Sequence, residues 1–203
     1  MGNRGRAKSD IKNRQILEAA ISLFVGNGYH NTSMDQVAAA AGVSKQTVYS
    51  HFRNKQELFK SAVQSRRSDF LGAELTLDTN APPRETLRQF ARALLRLLLS
   101  DDVVRTRRIC DAEAESHPEV AAAYFSEGPE HTTRLLTEYL TQLNDSGQLS
   151  IRNTRHGAIQ LLYMLTGEAQ MRALLNQPQW TENQVAAYLD SSIDMFLRGY
   201  AAH

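Results

Sequence analysis

The sequence of 203 residues contains one cysteine, Cys110, which excludes an internal disulfide and a cysteine-rich zinc site. Its five prolines and eleven glycines are too few for the many tight turns of a β-rich architecture. No apolar run approaches the roughly eighteen residues that a membrane span requires, and the basic start MGNRGRAKSD has no apolar segment of the signal-peptide kind. These absences favour an all-α, cytoplasmic chain without membrane contact.

Motifs of the common enzyme mechanisms are also missing. The sequence has no phosphate-binding G-x-x-x-x-G-K-S/T loop, no G-x-G-x-x-G, no H-E-x-x-H and no G-x-S-x-G. The six histidines include no pair three or four residues apart, so no helix is expected to present two histidines to a metal ion. We therefore expect no enzymatic activity, no metal site and no other cofactor.

Charge is divided unevenly along the chain. Residues 1–66 carry ten Lys or Arg against four Asp or Glu, whereas residues 67–203 carry thirteen against eighteen. A basic module on a mildly acidic body is typical of a protein whose front part alone meets a polyanion. Two interpretations are open for Arg4, Arg6 and Lys8, an arm in a DNA minor groove or a solvated chain end.

Apolar residues recur at helical spacing along most of the chain. In the front part we predict helices over 16–24, 34–41, 44–52 and 54–77, with Ser33–Gln36, Ser44 and Asn54–Glu57 as caps. After the DTNAPPR break we predict helices over 87–98, 101–117, 119–144 with a kink or break at Gly128 and Pro129, 153–175 and 181–200. Thr181 and Gln184 are expected to form a capping box at the start of the last helix. The expected parts are a front module with its arm at 1–53, a connecting helix at 54–78 and a helical body at 79–203.

The stretch TSMDQVAAAAGVSKQTVYSHF, residues 32–52, has the spacing of a helix-turn-helix. Small Ala38 lies where two helices would cross closely, and Gly42 follows where the turn needs a positive φ. Val43 and Val48 would anchor the second helix. The groups left exposed on that helix, which suit phosphates or base edges, are Lys45, Gln46, Thr47, Tyr49, Ser50 and His51.

Residues 16–59, ILEAAISLFVGNGYHNTSMDQVAAAAGVSKQTVYSHFRNKQELF, resemble the amino-terminal DNA-binding domain of the tetracycline-repressor (TetR) family. The motifs A-x-x-A-G-V-S, T-V-Y-x-H-F and K-x-E-L occur in order and without a gap. The resemblance implies a three-helix DNA-binding domain, a connecting fourth helix, a ligand-responsive helical body and a homodimer built mainly from the last two helices. The carboxy-terminal two thirds match only in length and helical character.

The resemblance also assigns DNA contacts residue by residue. Thr32 and Ser33 would approach phosphate at the start of the second helix, a role that competes with capping. Lys45 and Gln46 would read bases, because Lys donates to guanine and Gln pairs with adenine. For Tyr49, core packing remains an alternative, and for His51, capping or solvation. The expected DNA-binding set is Thr32, Ser33, Ser44, Lys45, Gln46, Thr47, Tyr49, Ser50, His51 and Lys55.

Four arginines at four-residue spacing form a basic row on a predicted helix of the body: Arg84, Arg88, Arg92 and Arg96. Two interpretations are open, a site for an anionic ligand or a face that is solvated and paired with acids of neighbouring helices. Candidate partners for the arginines of this region are Asp111, Glu113 and Glu115.

A small-molecule pocket requires apolar walls and a few convergent polar groups. The candidate lining residues, each of which could equally be ordinary core, are Phe90, Cys110, Tyr124, Tyr163, Met164 and Met171. We expect Cys110 to be a buried, unreactive thiol. The last two helices carry more apolar side chains than one small body hides. We therefore expect a dimer interface at Leu161, Leu165, Leu189, Ile193, Phe196 and Leu197.

Together these features predict an all-α homodimeric transcriptional regulator, a ligand-responsive repressor, whose two recognition helices enter successive major grooves of a pseudo-palindromic DNA operator. A small-molecule effector would act by changing the separation of the two DNA-binding domains through the fourth helix. The alternative is a helical small-molecule carrier or enzyme whose front module only docks proteins. Steep salt dependence of DNA binding would distinguish the two, because phosphate contacts release counterions.

Overall fold

The computed structural model describes the backbone of residues 3–71 and 77–202 and the side chains of residues 9–65 and 77–202. The regular elements of these ranges are helical, which confirms the all-α prediction. An isolated antiparallel bridge joins Leu149 to Ala201. The α-helices are α1 (Asn3–Asn27), α2 (Met34–Ala40), α3 (Lys45–His51), α4 (Lys55–Leu71), α5 (Pro83–Leu98), α6 (Asp101–Glu113), α7 (Pro118–Phe125), α8 (His131–Asp145), α9 (Thr154–Leu174) and α10 (Glu182–Gly199).

Side-chain caps start several of these helices at the predicted positions. Ser33 and Gln36 form a capping box at α2, in which each side chain accepts a hydrogen bond from the other residue's backbone N–H. Thr181 and Gln184 form the same box at α10. At α3, the Ser44 hydroxyl accepts from the backbone N–H of Thr47 at 3.2 Å. Each cap satisfies a helix N–H that would otherwise lack a partner, so the sequence sets where these helices begin.

The predicted kink at Gly128 and Pro129 is confirmed as a five-residue π-helical segment, Ser126–Glu130, which joins α7 to α8. Proline lacks a backbone N–H and its ring crowds the preceding turn, so the regular hydrogen-bond ladder cannot pass through this point. The α1 backbone begins at Asn3. Residues 3–8 are therefore helical and do not form an extended arm, while the side chains of Arg4, Arg6 and Lys8 lie outside the described residues.

The described helices pack as two compact units that do not follow the order of the sequence. Unit 1 comprises Met1–Asp69 and Arg105–Gly128, and unit 2 comprises Phe70–Val104 and Pro129–His203. Most of α6 and all of α7 thus pack with the amino-terminal helices. The division predicted from the sequence instead places both helices in the body at 79–203. Residues 72–76 of the expected connecting helix lie outside the described part.

The core of unit 1 is aromatic at its centre. Phe24 on α1 meets Phe59 on α4 edge to face at 5.2 Å between ring centroids, and Tyr29 completes the group at 5.4 Å from Phe59. Cys110 of α6 and Val120 of α7 are buried in the same core. Burial of these groups ties α6 and α7 to the amino-terminal helices, since each large side chain removed from water contributes about 1.5–3 kcal/mol.

Unit 2 buries its apolar side chains between α5, α8, α9 and α10. From α5 alone, eight residues are buried, among them Leu87 and Phe90. Facing them are Tyr139 of α8, which is 2% exposed, and Leu161 of α9, which is fully buried. One chain therefore supplies a complete core for the last two helices.

The dimer-interface prediction is consequently wrong for five of its six residues. Five of its six residues lie in the core of unit 2 and are at most 4% exposed: Leu161, Leu165, Leu189, Ile193 and Phe196. The sixth, Leu197, is partly buried against the same core. The apolar stripes of α9 and α10 face α5 and α8 of their own chain, so these side chains are not available to a second copy.

Two of the four arginines in the α5 row are paired with acids. Arg84 donates to both carboxylate oxygens of Asp194, at 2.6 and 3.1 Å, and Arg88 lies 2.9 Å from Asp190 in an ion pair. Both partners belong to α10, not to the expected acids of α6. Pairing, rather than an anion site, is therefore the interpretation that the structure supports for these two arginines. Of the expected acids, Asp111 pairs with Arg107 on its own helix.

No helix in the described ranges combines the length and apolarity needed to cross a membrane. Among the same residues, no group of three or more His, Cys, Asp or Glu side chains is arranged to hold a metal ion.

Candidate nucleic-acid interface

A tight turn at Gly42 joins α2 to α3. Gly42 has a φ of +66°, the left-handed conformation that side-chain-bearing residues adopt at a cost. The N–H of the next residue, Val43, donates to the carbonyl of Ala38 at 3.0 Å and closes the turn. Val37 and Ala38 are buried on α2, and Val48 is buried on α3. These are the features that the helix-turn-helix spacing predicts.

Only one of the seven residues of α3, Val48, is buried. Lys45 and Gln46, in its first turn, are exposed, and Tyr49 is 51% exposed, so Tyr49 does not pack as a core residue. Gln46 and Tyr49 make no side-chain hydrogen bond within the described residues. α3 thus presents a charged group, an amide and a phenol to solvent, the side-chain types that contact bases and phosphates.

The hydroxyl groups of α3 stabilise the helix itself. Ser44 and Thr47 share a hydrogen bond between their hydroxyls at 2.8 Å, and Ser50 donates to the Thr47 carbonyl at 2.7 Å. His51, the last residue, is half-buried, and its ring lies 6.2 Å from that of Phe52. These residues have polar groups near the exposed face, but their first role is to hold α3 in shape.

Thr32 and Ser33 differ sharply in exposure. Thr32 is 2% exposed, and its hydroxyl lies 2.8 Å from the Gly28 carbonyl oxygen and 3.2 Å from that of Leu23. Because this hydroxyl ties the loop after α1 to the end of that helix, the expected phosphate contact for Thr32 is wrong. Ser33 is exposed and caps α2, as the alternative interpretation of this pair proposed.

Lys55 opens α4 and holds the loop that follows α1. Its Nζ donates to the carbonyl oxygens of Tyr29 at 2.8 Å and His30 at 3.3 Å. The same ammonium lies 4.3 Å from the centre of the Tyr29 ring, a cation–π geometry. Burial lowers the pKa of Lys55, while the nearby carboxylates Glu113 and Glu119 act in the opposite direction. Lys55 therefore fixes α4 against α1, a positioning role that the sequence did not indicate.

A cluster around His117 joins the start of α7 to the same loop. The His117 ring lies 5.7 Å from the ring of Tyr29 and 5.7 Å from that of His30. Its Nδ1 is 3.4 Å from a Glu119 oxygen, and its Nε2 is 3.8 Å from a Glu113 oxygen. Burial raises the pKa of Tyr29, and the charges of Glu119 and Glu113 raise it further. These contacts lie within unit 1 and connect α6 and α7 to the loop that follows α1.

Two charged residues of this region were not identified from the sequence. Asp35, in the first turn of α2, forms an ion pair with Lys45. Arg53 is exposed between α3 and α4, directly after the T-V-Y-x-H-F motif. Their proximity to the motif is the signal that could have pointed to them, because charged groups beside a recognition helix alter its interaction with phosphates.

The expected pocket residues are not brought together within either unit. Phe90 and Met164 belong to the core of unit 2, whereas Cys110 and Tyr124 belong to that of unit 1. The other two are exposed, Tyr163 at 74% and Met171 at 57%. The six residues therefore do not line one cavity in either core. Apolar side chains at helical spacing predict burial, but they do not distinguish a pocket wall from ordinary core.

Cys110 is 2% exposed, and burial raises its pKa to about 12. This environment confirms the expectation of a buried thiol that stays protonated and unreactive at neutral pH.

Family comparisons agree with this geometry. The model of the bacterial regulatory proteins of the tetR family matches residues 16–62, and that of the AefR-like transcriptional repressor C-terminal domain matches residues 85–202, more than half of the chain. The chain belongs to the TetR family of transcriptional regulators. The first match contains the helix-turn-helix, and the second contains α6 to α10 with nearly all of α5.

Solved structures of TetR-family proteins match this regulator over nearly its whole length. The flavonoid-responsive regulator FrrA aligns with a TM-score of 0.81 at 30% identity, over 94% of this chain and 97% of its own. A TetR-family regulator of Mesorhizobium loti aligns with a TM-score of 0.80 at 28% identity, over 95% of this chain and 98% of its own.

Two curated transcriptional regulators from other bacteria are also similar to this chain in sequence. The transcriptional activator FasR of Mycolicibacterium smegmatis is 35% identical over 124 residues, which is 60% of this TetR-family chain but only 56% of FasR. The regulator YvkB of Bacillus subtilis is 26% identical over 94% of this chain and 97% of its own length.

Proposed function

We propose that this TetR-family regulator is a sequence-specific DNA-binding repressor that acts as a homodimer on a pseudo-palindromic operator and is released by a small-molecule effector. The observation that carries the proposal is the exposed polar face of α3. Val48 anchors the helix from one side, and Lys45, Gln46 and Tyr49 remain outside the core. A short helix held in this way fits the major groove of B-DNA, which admits one α-helix.

Within this proposal the exposed side chains of α3 have separate roles. Gln46 pairs with a base edge, most readily adenine, and Lys45 donates to guanine or to a phosphate. Tyr49 and Arg53 donate to phosphates, with Ser33, Ser44, Thr47, Ser50 and His51 at the margin of the contact. Lys55 acts mainly through the loop carbonyls that it holds, because two of its three N–H donors already have partners.

The proposed dimer forms on the outer face of α9 and α10, which replaces the interface expected from sequence. Exposed apolar side chains lie there at Tyr163 (74% exposed), Met171 (57%) and Met195 (54%). Tyr163 and Met171 are eight residues apart on α9 and so share one helical face, with Gly167 between them. Exposed large apolar groups in one region are typical of an interface, and a two-fold dimer requires a two-fold symmetric operator.

The carboxy-terminal family match supports repression, and the name of one solved structure supports an effector. The carboxy-terminal match is to a repressor domain, and FrrA is named for its response to flavonoids. We infer a small, largely apolar effector for this chain. It would have to favour the released state by about 2–4 kcal/mol to weaken DNA binding by some 30- to 1,000-fold. A regulator of this kind works by binding, without catalysis, beside the chromosome in the cytoplasm.

The proposal is tested by selecting duplexes from a random library with the wild-type protein and measuring the affinity of the selected duplex against salt. We expect enrichment of an inverted repeat, and a loss of affinity of about 10³-fold or more between 50 and 200 mM salt. Gln46→Ala should relax the preference at one or two base pairs per half-site, by about 1–3 kcal/mol each. Lys55→Ala should weaken binding to all sequences alike, because it releases the loop after α1 and removes no base contact.

Gln142→Ala is a matched control, because it removes the same side chain from an exposed position on α8. It should leave both affinity and preference unchanged. Enrichment of no sequence, or binding that is indifferent to salt, would overturn the proposed function and favour a carrier or protein-docking role. Uniform weakening by Gln46→Ala would overturn the assignment of base recognition to Gln46.

A further inference from the structure

Asp35 and Lys45 form an ion pair across the helix-turn-helix. The Lys45 Nζ donates to the Asp35 Oδ2, and the two residues are ten positions apart in sequence. Both side chains are exposed, Lys45 at 66% and Asp35 at 53%, so the pair lies on the surface. Surface pairs contribute little to stability, with a typical value of about 0–1 kcal/mol. The pair is therefore of interest because it lies beside the exposed face of α3, and not because it stabilises the fold.

The backbone holds the two ends of the pair at fixed places. Asp35 lies in the first turn of α2, which Ser33 caps, and Lys45 is the first residue of α3, which Ser44 caps. The turn between them is closed by a backbone hydrogen bond from Val43 to the Ala38 carbonyl at 3.0 Å. Because both helix starts are fixed, the Asp35 carboxylate always lies within reach of the Lys45 ammonium.

We propose that Asp35 is a specificity-determining residue of this regulator, which acts by positioning Lys45. The inference rests on the proposed DNA-binding function. A lysine on four flexible carbons can reach many phosphate oxygens, so when free it strengthens binding to every sequence. Paired with Asp35, its ammonium is directed towards the α2 side of α3 and is partly neutralised. Only a duplex that offers an acceptor at that place gains a contact from Lys45.

Asp35 also changes the balance between specific and non-specific binding. Its carboxylate lies beside the ammonium of Lys45, and it repels any phosphate that approaches Lys45. Non-specific complexes depend almost entirely on phosphate neutralisation, whereas specific complexes also have base contacts. The carboxylate therefore weakens non-specific binding more than specific binding. Asp35 thus increases specificity by repelling the phosphates of duplexes that lack the preferred sequence.

The test compares Asp35→Asn with the wild-type full-length protein. Two duplexes are used, the one selected by the wild type from a random library and a scrambled duplex of the same composition. For Asp35→Asn we expect affinity for the scrambled duplex to rise about fivefold, with little gain on the selected one, so the specificity ratio falls about fivefold. The slope of log affinity against log salt should steepen by about 0.9 per protomer, because freed Lys45 neutralises one more phosphate.

A double-mutant cycle separates positioning from simple charge repulsion. If Asp35 acts through Lys45, then Asp35→Asn in the Lys45→Gln background should leave the salt slope unchanged. Asp35→Glu, which keeps the carboxylate, should restore most of the specificity ratio. The matched control is Glu138→Gln, which makes the same change in net charge at an exposed position of α8. This control should change neither the ratio nor the slope.

Circular dichroism and thermal unfolding check that each variant is folded, which we expect because both side chains are exposed. An unchanged specificity ratio for Asp35→Asn would overturn the inference while leaving the proposed function standing. So would a steeper salt slope that persists in the Lys45→Gln background, because Lys45 would then have no part in it. A wild-type protein that selects no duplex would overturn the proposed function and this inference together.

Discussion

The recognition helix α3 and the last helix α10 differ in how much of each is buried. α3 has seven residues and buries only Val48, whereas α10 has eighteen and buries Leu189, Ser192, Ile193 and Phe196. The exposed side of α3 is polar, while that of α10 carries Met195 at 54% exposure. Most polar residues of α3 are exposed to solvent. The apolar residues of α10 lie either in the core of their own chain or, in the case of Met195, exposed at its surface.

This difference explains why the sequence predicted the exposed face of α3 but assigned buried residues of α9 and α10 to an interface. Around α3, the capping serine, the turn glycine and the buried valine each have a separate physical requirement, and together they fix which side faces outward. On α9 and α10, apolar spacing indicates that a stripe is buried but not what covers it. The covering is supplied largely by α5, whose buried residues are far away in the sequence.

The largest effect that we predict separates the two faces of α10. Leu189→Ala should lower the free energy of unfolding by about 2–5 kcal/mol, because Leu189 is fully buried and its truncation leaves a cavity. Met195→Ala, on the exposed face of the same helix, should change it by less than about 0.5 kcal/mol if measured on the monomer. Urea unfolding followed by circular dichroism measures both. Equal losses for the two variants would contradict the assignment of faces.

The next effect concerns self-association. Tyr163→Glu should weaken the proposed dimer by about 100-fold or more, equivalent to about 2.7 kcal/mol, because it places a charge in an apolar contact. Sedimentation velocity over a range of concentrations gives the dissociation constant. Phe125→Glu is the matched control, since Phe125 is an aromatic residue of similar exposure, 57%, on α7. A dimer that tolerates Tyr163→Glu would place the interface elsewhere.

A smaller effect tests the turn that presents α3. Gly42→Ala should lower the free energy of unfolding by about 1–2 kcal/mol, because its φ of +66° is unfavourable for a residue with a Cβ. Gly26→Ala is the control, because Gly26 lies in α1 without a positive φ, and a Cβ added there would meet no atom within 4 Å. It should stabilise the chain by about 0.5–1 kcal/mol. Chemical denaturation of both variants checks the opposite signs.

The smallest effect concerns Tyr124, which packs against the core of unit 1. Burial raises its pKa from the ordinary value of 10.0 to about 12, with Arg107 opposing the shift. A raised pKa means that the folded state retains the proton longer than the unfolded state. The stability that depends on Tyr124 is therefore complete below about pH 10 and is lost as the pH rises towards 12.

Tyr124→Phe should remove this loss, so its stability should fall less steeply than that of the wild type over this range. Denaturant unfolding at about pH 8, 10 and 11 measures the two slopes. Cys110, whose pKa burial also raises to about 12, is present in both proteins and contributes equally. Parallel curves would show that the phenol remains accessible to water in the folded chain.

The same contrast between local and distant determinants holds for single residues. The sequence predicted the capping boxes at Ser33 and Thr181 because each box is complete within four residues. It did not predict that the Thr32 hydroxyl bonds to the carbonyls of Gly28 and Leu23, nor that Lys55 holds the loop after α1. In each of these, a polar side chain has a backbone partner whose identity depends on how the helices pack.

The sequence alone determined that the chain is helical, where many of its helices begin, and that residues 32–52 form a helix-turn-helix. Caps, turns and periodicity act over a few residues, so one chain segment contains all the information they require. Tertiary structure alone decided that α6 and α7 join the DNA-binding unit, that α5 covers α9 and α10, and that Asp35 meets Lys45. These contacts depend on which surfaces meet after folding. An apolar face can be covered by any of several helices, and a charge can pair with any of several opposite charges, so only the packing of the whole chain determines the partner.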